Sequence, residues 1–240
     1  MNIINLIAID TVSDDLKIAV NIGEKEFFIN KKNNSSQNVE SLIPLIDSTF
    51  KELNVSPNVI THVAVCVGPG SFTGIRVGLA TAFGLVFGKN IDIVGFSQFD
   101  IYNSISKNKL DHKDKIDYII IPIIDAKKDS VYTCFISKNI NDDENYLAGE
   151  CLAINELSNK LNDIVNDIDR KIYFVGKDFL PLRDRIINNK NINYEYCYTD
   201  NYSSEDMFYV MRKRIIKGKR GIVEPLYLRK SDAELSLFGK

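Results

Sequence analysis

The sequence has only two histidines, His62 and His112, far apart in the chain. Their scarcity argues against a metal-dependent peptidase and leaves a serine hydrolase without an evident base. Cysteine is sparse too. Cys66, Cys134, Cys151 and Cys197 form no C-x-x-C pair, and three of them sit in apolar or aromatic runs. Buried thiols in a reducing compartment are therefore expected, not a disulfide framework or a metal site. No charge sign dominates: a formal net charge of −2 gives no global field drawing the molecule onto nucleic acid or an anionic membrane. No apolar run reaches the roughly 18 residues that suggest a bilayer span. The opening MNIINLIAID lacks a basic stretch and meets Asp10, so we expect no signal peptide and a cytoplasmic chain.

What is present suits a globular α/β protein. The 240 residues are enough for two compact halves, and 45% of them are apolar against 26% charged. LIAIDTVSDDLKIAVNI reads as a buried strand, a polar turn over residues 11–15 and an alternating strand carrying Leu16, Ile18, Val20 and Ile22. EFFIN adds a third strand. Val39, Leu42, Ile43, Ile46, Phe50 and Leu53 then recur at helical spacing, with Pro44 inside the pattern predicting a kink or a late start. VITHVAVCV is a continuous apolar strand, followed by a glycine-rich turn, a helix, the strand IDIVGF and a further helix.

The plan then repeats. YIIIPIIDA, KKDS and VYTCFI align without gaps to the opening hairpin, setting Asp125 against Asp10, Ala126 against Thr11 and Val131 against Leu16. Beyond lie a strand near residues 147–154, a helix over Leu157, Leu161, Ile164, Val165 and Ile168, and the strands KIYFV and INYEYCY. A last helix starts at the capping pattern Ser203-Ser204-Glu205-Asp206. Composition puts the division between halves near residues 104–114.

Seven of the 13 glycines fall between Gly68 and Gly95. Gly68, Gly70 and Gly74 are in the wrong register for G-x-G-x-x-G. Ile75 and Arg76 stand where a P-loop needs lysine and a hydroxyl, and Ser71 lacks the flanking glycines of a nucleophile elbow. Two readings survive: an anion held at the N–H groups of a helix capped by Ser71 or Thr73, or glycines that only make a tight turn and a close helix crossing. Along the helix, Gly74, Gly78 and Ala82 form a smooth ridge with Thr81 and Leu85. Val77, Ala80, Phe83, Gly84 and Phe87 lie opposite. A helix apolar nearly all round needs cover on both sides. The expectation is a subunit interface on the small-residue ridge, with burial inside the monomer as the alternative. On that expectation, Gly78→Arg abolishes pairing and leaves a soluble monomer.

LIAIDTVSDDLKIAV, SLIPLIDSTFKEL, VGPGSFTGIRVGLATAFGLVFGKNIDIVGFSQFD, DAKKDSVY and EPLYLR occur in the order found in the TsaB (YeaZ) family of bacterial tRNA threonylcarbamoyladenosine biosynthesis proteins, which this sequence resembles. The resemblance implies an α/β fold of two RNase H-like halves of the actin/Hsp70-like (ASKHA) superfamily, with mixed sheets flanked by helices. The halves would be residues 1–108 and a reduced 109–240, with the tail from about 221 docking back. It implies a non-catalytic subunit with no catalytic or metal-binding residue of its own. The paralogous enzyme TsaD would move the threonylcarbamoyl group onto adenosine 37 of tRNAs reading A-starting codons, and a TsaE-type ATPase would join. ATP and a metal ion would be held by those partners and not by this chain. The absence of His-x-x-x-His fits, and Asn38 stands near where some relatives carry histidine.

By the same resemblance, helices over residues 37–55 and 73–89 dock against TsaD or a second copy of this chain, making Val39, Leu42, Ile43, Ile46, Gly74, Gly78, Thr81, Ala82 and Leu85 the expected interface. In the superfamily, aspartates placed like Asp10 and Asp125 help hold a nucleotide's metal, but the chain has no Gly-Gly to embrace an adenosine. Asp10, Thr11, Gly68, Gly70, Ser71 and Thr73 are thus expected to be a vestigial nucleotide or anion loop. The run from Arg212 to Arg220 holds six cations and no acid, and is expected either to touch tRNA or to solvate a helix end. Rival functions are an ATP-dependent kinase-type enzyme resting on Asp10 and Asp125, and an inactive peptidase-like homologue.

Overall fold

The computed structural model describes residues 3–32, 37–110, 117–138, 144–146, 148–167, 170–188, 192–198 and 200–230. Contacts divide the chain into a first unit, Met1–Ile101 with Tyr202–Lys240, and a second, Tyr102–Asn201.

In the first unit, β1 (Leu6–Asp10), β2 (Asp15–Ile22), β3 (Lys25–Lys32), β4 (His62–Gly68) and β5 (Asp92–Ser97) form one sheet in the order β3-β2-β1-β4-β5. β2 runs antiparallel to both β1 and β3, while β4 and β5 extend the sheet in parallel. Helices α1 (Gln37–Leu53), α2 (Phe72–Val86) and α6 (Ser204–Ile216) belong to this unit, and α3 (Gln98–Leu110) begins in it and continues into the second. The alternation in β2 predicts one wet face, yet Lys17, Ala19 and Asn21 are buried along with Leu16, Ile18 and Val20. The reason is α6, which returns from the chain's far end to pack across β1, β2 and β3 through Met207, Phe208 and Met211. Its capping box forms as expected, with the Ser203 hydroxyl accepting from the Asp206 N–H at 3.0 Å.

The second unit repeats this topology. Its main sheet is built from β6 (Tyr118–Pro122), β9 (Ile136–Lys138), β10 (Glu144–Tyr146), β12 (Lys171–Val175) and β13 (Tyr194–Tyr198). The order β10-β9-β6-β12-β13 has two antiparallel pairings followed by two parallel ones, as in the first sheet. The repeated YIIIPIIDA hairpin is, however, broken. Its second part becomes β7 (Ile124–Lys127), which pairs with β8 (Ser130–Thr133), itself paired on its other side with β11 (Glu150–Ala153), in a separate three-stranded sheet. Helices α4 (Ile154–Asp167) and α5 (Phe179–Ile186) pack on the sheet's core, where Leu157, Leu161, Phe174 and Phe179 are buried and the last two rings stack at 4.0 Å. The short α5 escapes a periodicity reading. Ile168 lies outside the described residues.

Two boundaries depart from expectation. Residues 202–230 belong with the first unit, not with a second half starting at 109, because α6 and the tail after it find their apolar partners there. α1 begins at Gln37 and runs through Pro44, so the late start, one of the two expected alternatives, does not occur. Both Pro44 and Glu40, whose carbonyl loses its helical donor, are exposed, so water can take that bond.

At the start of β4, His62 is mostly buried, with Nδ1 2.8 Å from the Thr61 hydroxyl and Nε2 3.8 Å from the Asp92 carboxylate. Burial lowers its pKa from the ordinary 6.5; Asp92 pulls it back up, while Arg220 adds to the lowering. The folded chain therefore resists protonation more than the unfolded chain does. Stability from this site is present above the unfolded value of 6.5 and is lost as pH falls through the lowered folded value. Thermal melts should weaken across that window in the parent protein and less steeply in His62→Gln.

Candidate functional site

Asp10 ends β1 and is fully buried. Its Oδ1 accepts from the N–H groups of Val12 at 2.8 Å and Ser13 at 3.2 Å. Its Oδ2 accepts from the Ser13 hydroxyl and the Tyr202 phenol, each at 2.6 Å. The buried Lys17 ammonium lies 3.7 Å from Oδ2 and 4.7 Å from the centre of the Tyr202 ring. This environment does not fit the metal of a bound nucleotide. The carboxylate's acceptor capacity is already met, and an internal ammonium supplies the positive charge a cation would bring. Removing that ammonium strands a buried carboxylate, so Lys17→Met should cost about 3 kcal/mol of stability in denaturant titrations. A loss below about 1 kcal/mol would mean that the pair is not structural.

The equivalent aspartate of the second unit is held differently. Asp125 accepts from the N–H of Lys127 at 2.8 Å and from its ammonium at 2.7 Å. These bonds and the nearby Lys177 hold its carboxyl below the ordinary range despite the opposing effect of burial. Among the described residues, no group of three His, Cys, Asp or Glu side chains is placed to hold a metal ion. None of the four cysteines is joined in a disulfide. Burial, reinforced by Asp10, pushes the Cys66 thiol well up, which keeps it protonated and unreactive.

The glycine loop serves close packing. Gly68 and Gly70 have φ of +129° and +148°, which side-chain-bearing residues rarely adopt. A Cβ on Gly68 would lie 2.7 Å from the Leu226 carbonyl oxygen, and one on Gly70 2.7 Å from a Val12 methyl. The Ser71 N–H donates to the Val12 carbonyl at 3.3 Å, the Ser71 hydroxyl accepts from the Gly74 N–H at 3.1 Å, and the Pro69 carbonyl accepts from the Gln98 amide at 2.6 Å. Thr73 is exposed. The tight-turn reading therefore accounts for this loop, and its own chain occupies the space that a phosphate would need beside Gly68 and Gly70.

The described part of the tail helps fill that space. Leu226 donates its N–H to the Val67 carbonyl at 2.8 Å. Tyr227 stacks on Phe72 at 4.6 Å, and its phenol oxygen accepts from Arg76 Nε at 3.2 Å. Residues 231–240 lie outside the described residues.

The small-residue ridge of α2 faces inward, against expectation. Gly74, Gly78 and Ala82 are buried, and Thr81 and Leu85 are half-buried. A Cβ on Gly74 would sit 2.0 Å from the Thr11 carbonyl oxygen, and one on Gly78 would sit 2.6 Å from Thr11 Oγ1. That hydroxyl donates to the Gly74 carbonyl at 2.6 Å, pinning α2 to the end of β1. On α1, Leu42 and Ile46 are core residues, whereas Ile43 is 56% exposed. The side chain of Val39 lies outside the described residues. The ridge is covered by the chain itself because β1 and β4 need a helix that can approach their backbone closely.

What stays uncovered is the opposite face. Phe83 and Phe87 are 48% and 86% exposed, and Gly84 between them and Ala80 a turn earlier are exposed as well. A Cβ on Gly84 would meet nothing within 4 Å. Glycine in a helix interior costs about 1 kcal/mol relative to alanine, and no contact among the described residues requires it there. Gly84→Ala should therefore raise the isolated chain's stability by about 1 kcal/mol. The sequence carries this face as plainly as the ridge; choosing between them needs the position of Thr11, which only the folded chain supplies.

Two units with one strand order and one pattern of strand directions define a protein of the actin/Hsp70-like class, built from two RNase H-like halves. The family described as tRNA N6-adenosine threonylcarbamoyltransferase, TsaD, matches residues 30–184. The tRNA threonylcarbamoyladenosine biosynthesis protein TsaB of Bacillus subtilis is 26% identical over 184 residues, 72% of this chain and 71% of that protein. A tRNA N6-adenosine threonylcarbamoyltransferase of Clostridioides difficile is 32% identical over 80 residues, 33% of this chain and 23% of that enzyme. The structure of YeaZ from Pseudomonas aeruginosa shares the fold with a TM-score of 0.66 at 16% identity, over 94% of this chain and 100% of that one. The chain belongs to the TsaD family and, within it, to the TsaB (YeaZ) group of tRNA threonylcarbamoyladenosine biosynthesis proteins.

Proposed function

We propose that this chain is the non-catalytic partner of a TsaD-type transferase in threonylcarbamoylation of adenosine 37 in tRNAs that read A-starting codons. It acts by docking the outward faces of α1 and α2 against the equivalent helices of the paralogue. One observation carries the reading: Phe83 and Phe87 stand exposed around Gly84, a helical glycine that no contact among the described residues explains. A second helix laid there would bury both rings, and Gly84 would let its backbone come close. The sealed environment of Asp10 supports a subunit that leaves chemistry, nucleotide and metal to its partners, a TsaE-type ATPase among them. It also disfavours the kinase-type reading, which needs that carboxylate. Without the paralogue, the same face is expected to pair two copies of this chain. No helix among the described residues is long and apolar enough to cross a membrane, and the proposed location is the cytoplasm.

The reading is tested in cells by depleting the chain and measuring threonylcarbamoyladenosine in total tRNA by mass spectrometry of its nucleosides. Loss of the modified nucleoside, restored by the parent gene and not by Phe83→Glu with Phe87→Glu, is expected. Unchanged modification after depletion would overturn the proposal.

A further inference from the structure

Helix α6 separates its two faces sharply. Met207, Phe208 and Met211 are buried against the first sheet, while Tyr209, Arg212, Lys213, Ile216 and Lys217 are exposed. At 3.6 residues per turn these five lie within an arc of about 140° opposite the buried one. Gly218, with φ of +67°, ends the helix and carries the exposed Lys219 onward. The six cations of the Arg212–Arg220 run therefore divide. Arg214 is tied to Asp100 at 3.1 Å and Arg220 to Asp92 at 3.0 Å. Arg212, Lys213, Lys217 and Lys219 make no ion pair among the described residues. Lys213 and Arg214 already lie in the last turn, where cations complement the helix dipole, so Lys217 and Lys219 beyond it are left over from that role. Tyr209 and Ile216, 50% and 60% exposed, lie among these charges, giving a basic surface with an aromatic and an aliphatic contact on it.

We propose that this outward stripe of α6 binds the phosphate backbone of the tRNA substrate, an inference that rests on the assignment to tRNA modification made above. Four uncompensated cations on a chain whose overall charge is −2 make a local anion-binding surface that global attraction does not explain. Lysine and arginine heads on a convex helix suit backbone phosphates, which carry no sequence information, and the Tyr209 ring can lie against a ribose or an unstacked base. The contact positions the RNA while the reacting adenosine is read elsewhere.

The test uses the full chain assembled with its own organism's TsaD-type protein, with tRNA retention measured over a salt series and pairing read on the same samples by light scattering. Four phosphate contacts predict that affinity falls about 50- to 150-fold between 50 and 200 mM salt. Lys213→Gln with Lys217→Gln and Lys219→Gln should flatten the log–log salt slope by about 2 to 3 and leave pairing intact. Lys213→Glu with Lys217→Glu should weaken retention at least tenfold. An equal charge change on the second unit, Lys128→Glu with Lys160→Glu, should do much less. Unchanged retention and slope in an intact pair would overturn the stripe and leave the pairing proposal standing. So would equal losses from the second-unit control. Loss of pairing with undiminished RNA retention would also overturn it, by making the stripe a protein surface. If the parent proteins do not pair, the pairing proposal fails, and the same salt series on the chain alone still decides the stripe.

Discussion

Gly78→Arg unfolds the first unit and does not merely block association. The Cβ alone would lie 2.6 Å from Thr11 Oγ1 and 3.5 Å from a Val65 methyl, and the guanidinium would enter a region where Val65 is fully buried. Both an overpacked crossing and an unpaired buried charge are among the mechanisms behind the largest single-site losses, so a cost above about 4 kcal/mol is expected. Circular dichroism and solubility would report it directly. A folded, soluble Gly78→Arg monomer would show that the ridge is free and that the facing of α2 described above is wrong. Gly74 offers a companion test: with the Thr11 carbonyl oxygen 2.0 Å from the added carbon, even Gly74→Ala forces backbone to move.

Phe83→Glu combined with Phe87→Glu should do the reverse, leaving the fold intact and abolishing association. Phe87 stands almost wholly in solvent and Phe83 about half so in the isolated chain, and neither is a core residue, so replacing them leaves the core packing in place; helix propensity differs by only a few tenths of a kcal/mol. Aromatic anchors at the centre of an interface each contribute about 2 kcal/mol or more, and a buried carboxylate opposes association further. Together the two changes predict an affinity loss of about 1,000-fold, read by light scattering at fixed concentration. Gly84→Leu should weaken association by obstructing the close approach while leaving the chain folded, whereas Gly84→Ala stabilises the free chain.

Much of the architecture was legible from local pattern. Continuous apolar runs mark β1, β4 and β6, the Ser203 to Asp206 spacing marks the start of α6, and the echo of Asp10 in Asp125 anticipates two units of one topology. The misses share a cause, which is distance along the chain. Tyr202 reaches Asp10 from 192 residues away, so nothing local reveals that the aspartate is sealed. β2 reads as half-wet because the helix covering it arrives almost at the end of the sequence. The broken hairpin of the second unit has a similar origin: β7 and β8 find β11, a partner that the first unit lacks. On α2, periodicity identified two apolar faces correctly, but composition favoured glycine and alanine as the docking side. The sheet took that side because it could bring backbone to backbone there, leaving the phenylalanines outward.

The most direct measurement is the mass in solution of this chain mixed with the TsaD-type protein of the same organism. A one-to-one complex is expected for the parent chain, and two separate species for a folded Phe83→Glu, Phe87→Glu variant. A parent chain that stays monomeric beside its paralogue, or a variant that associates as tightly as the parent, would contradict the account.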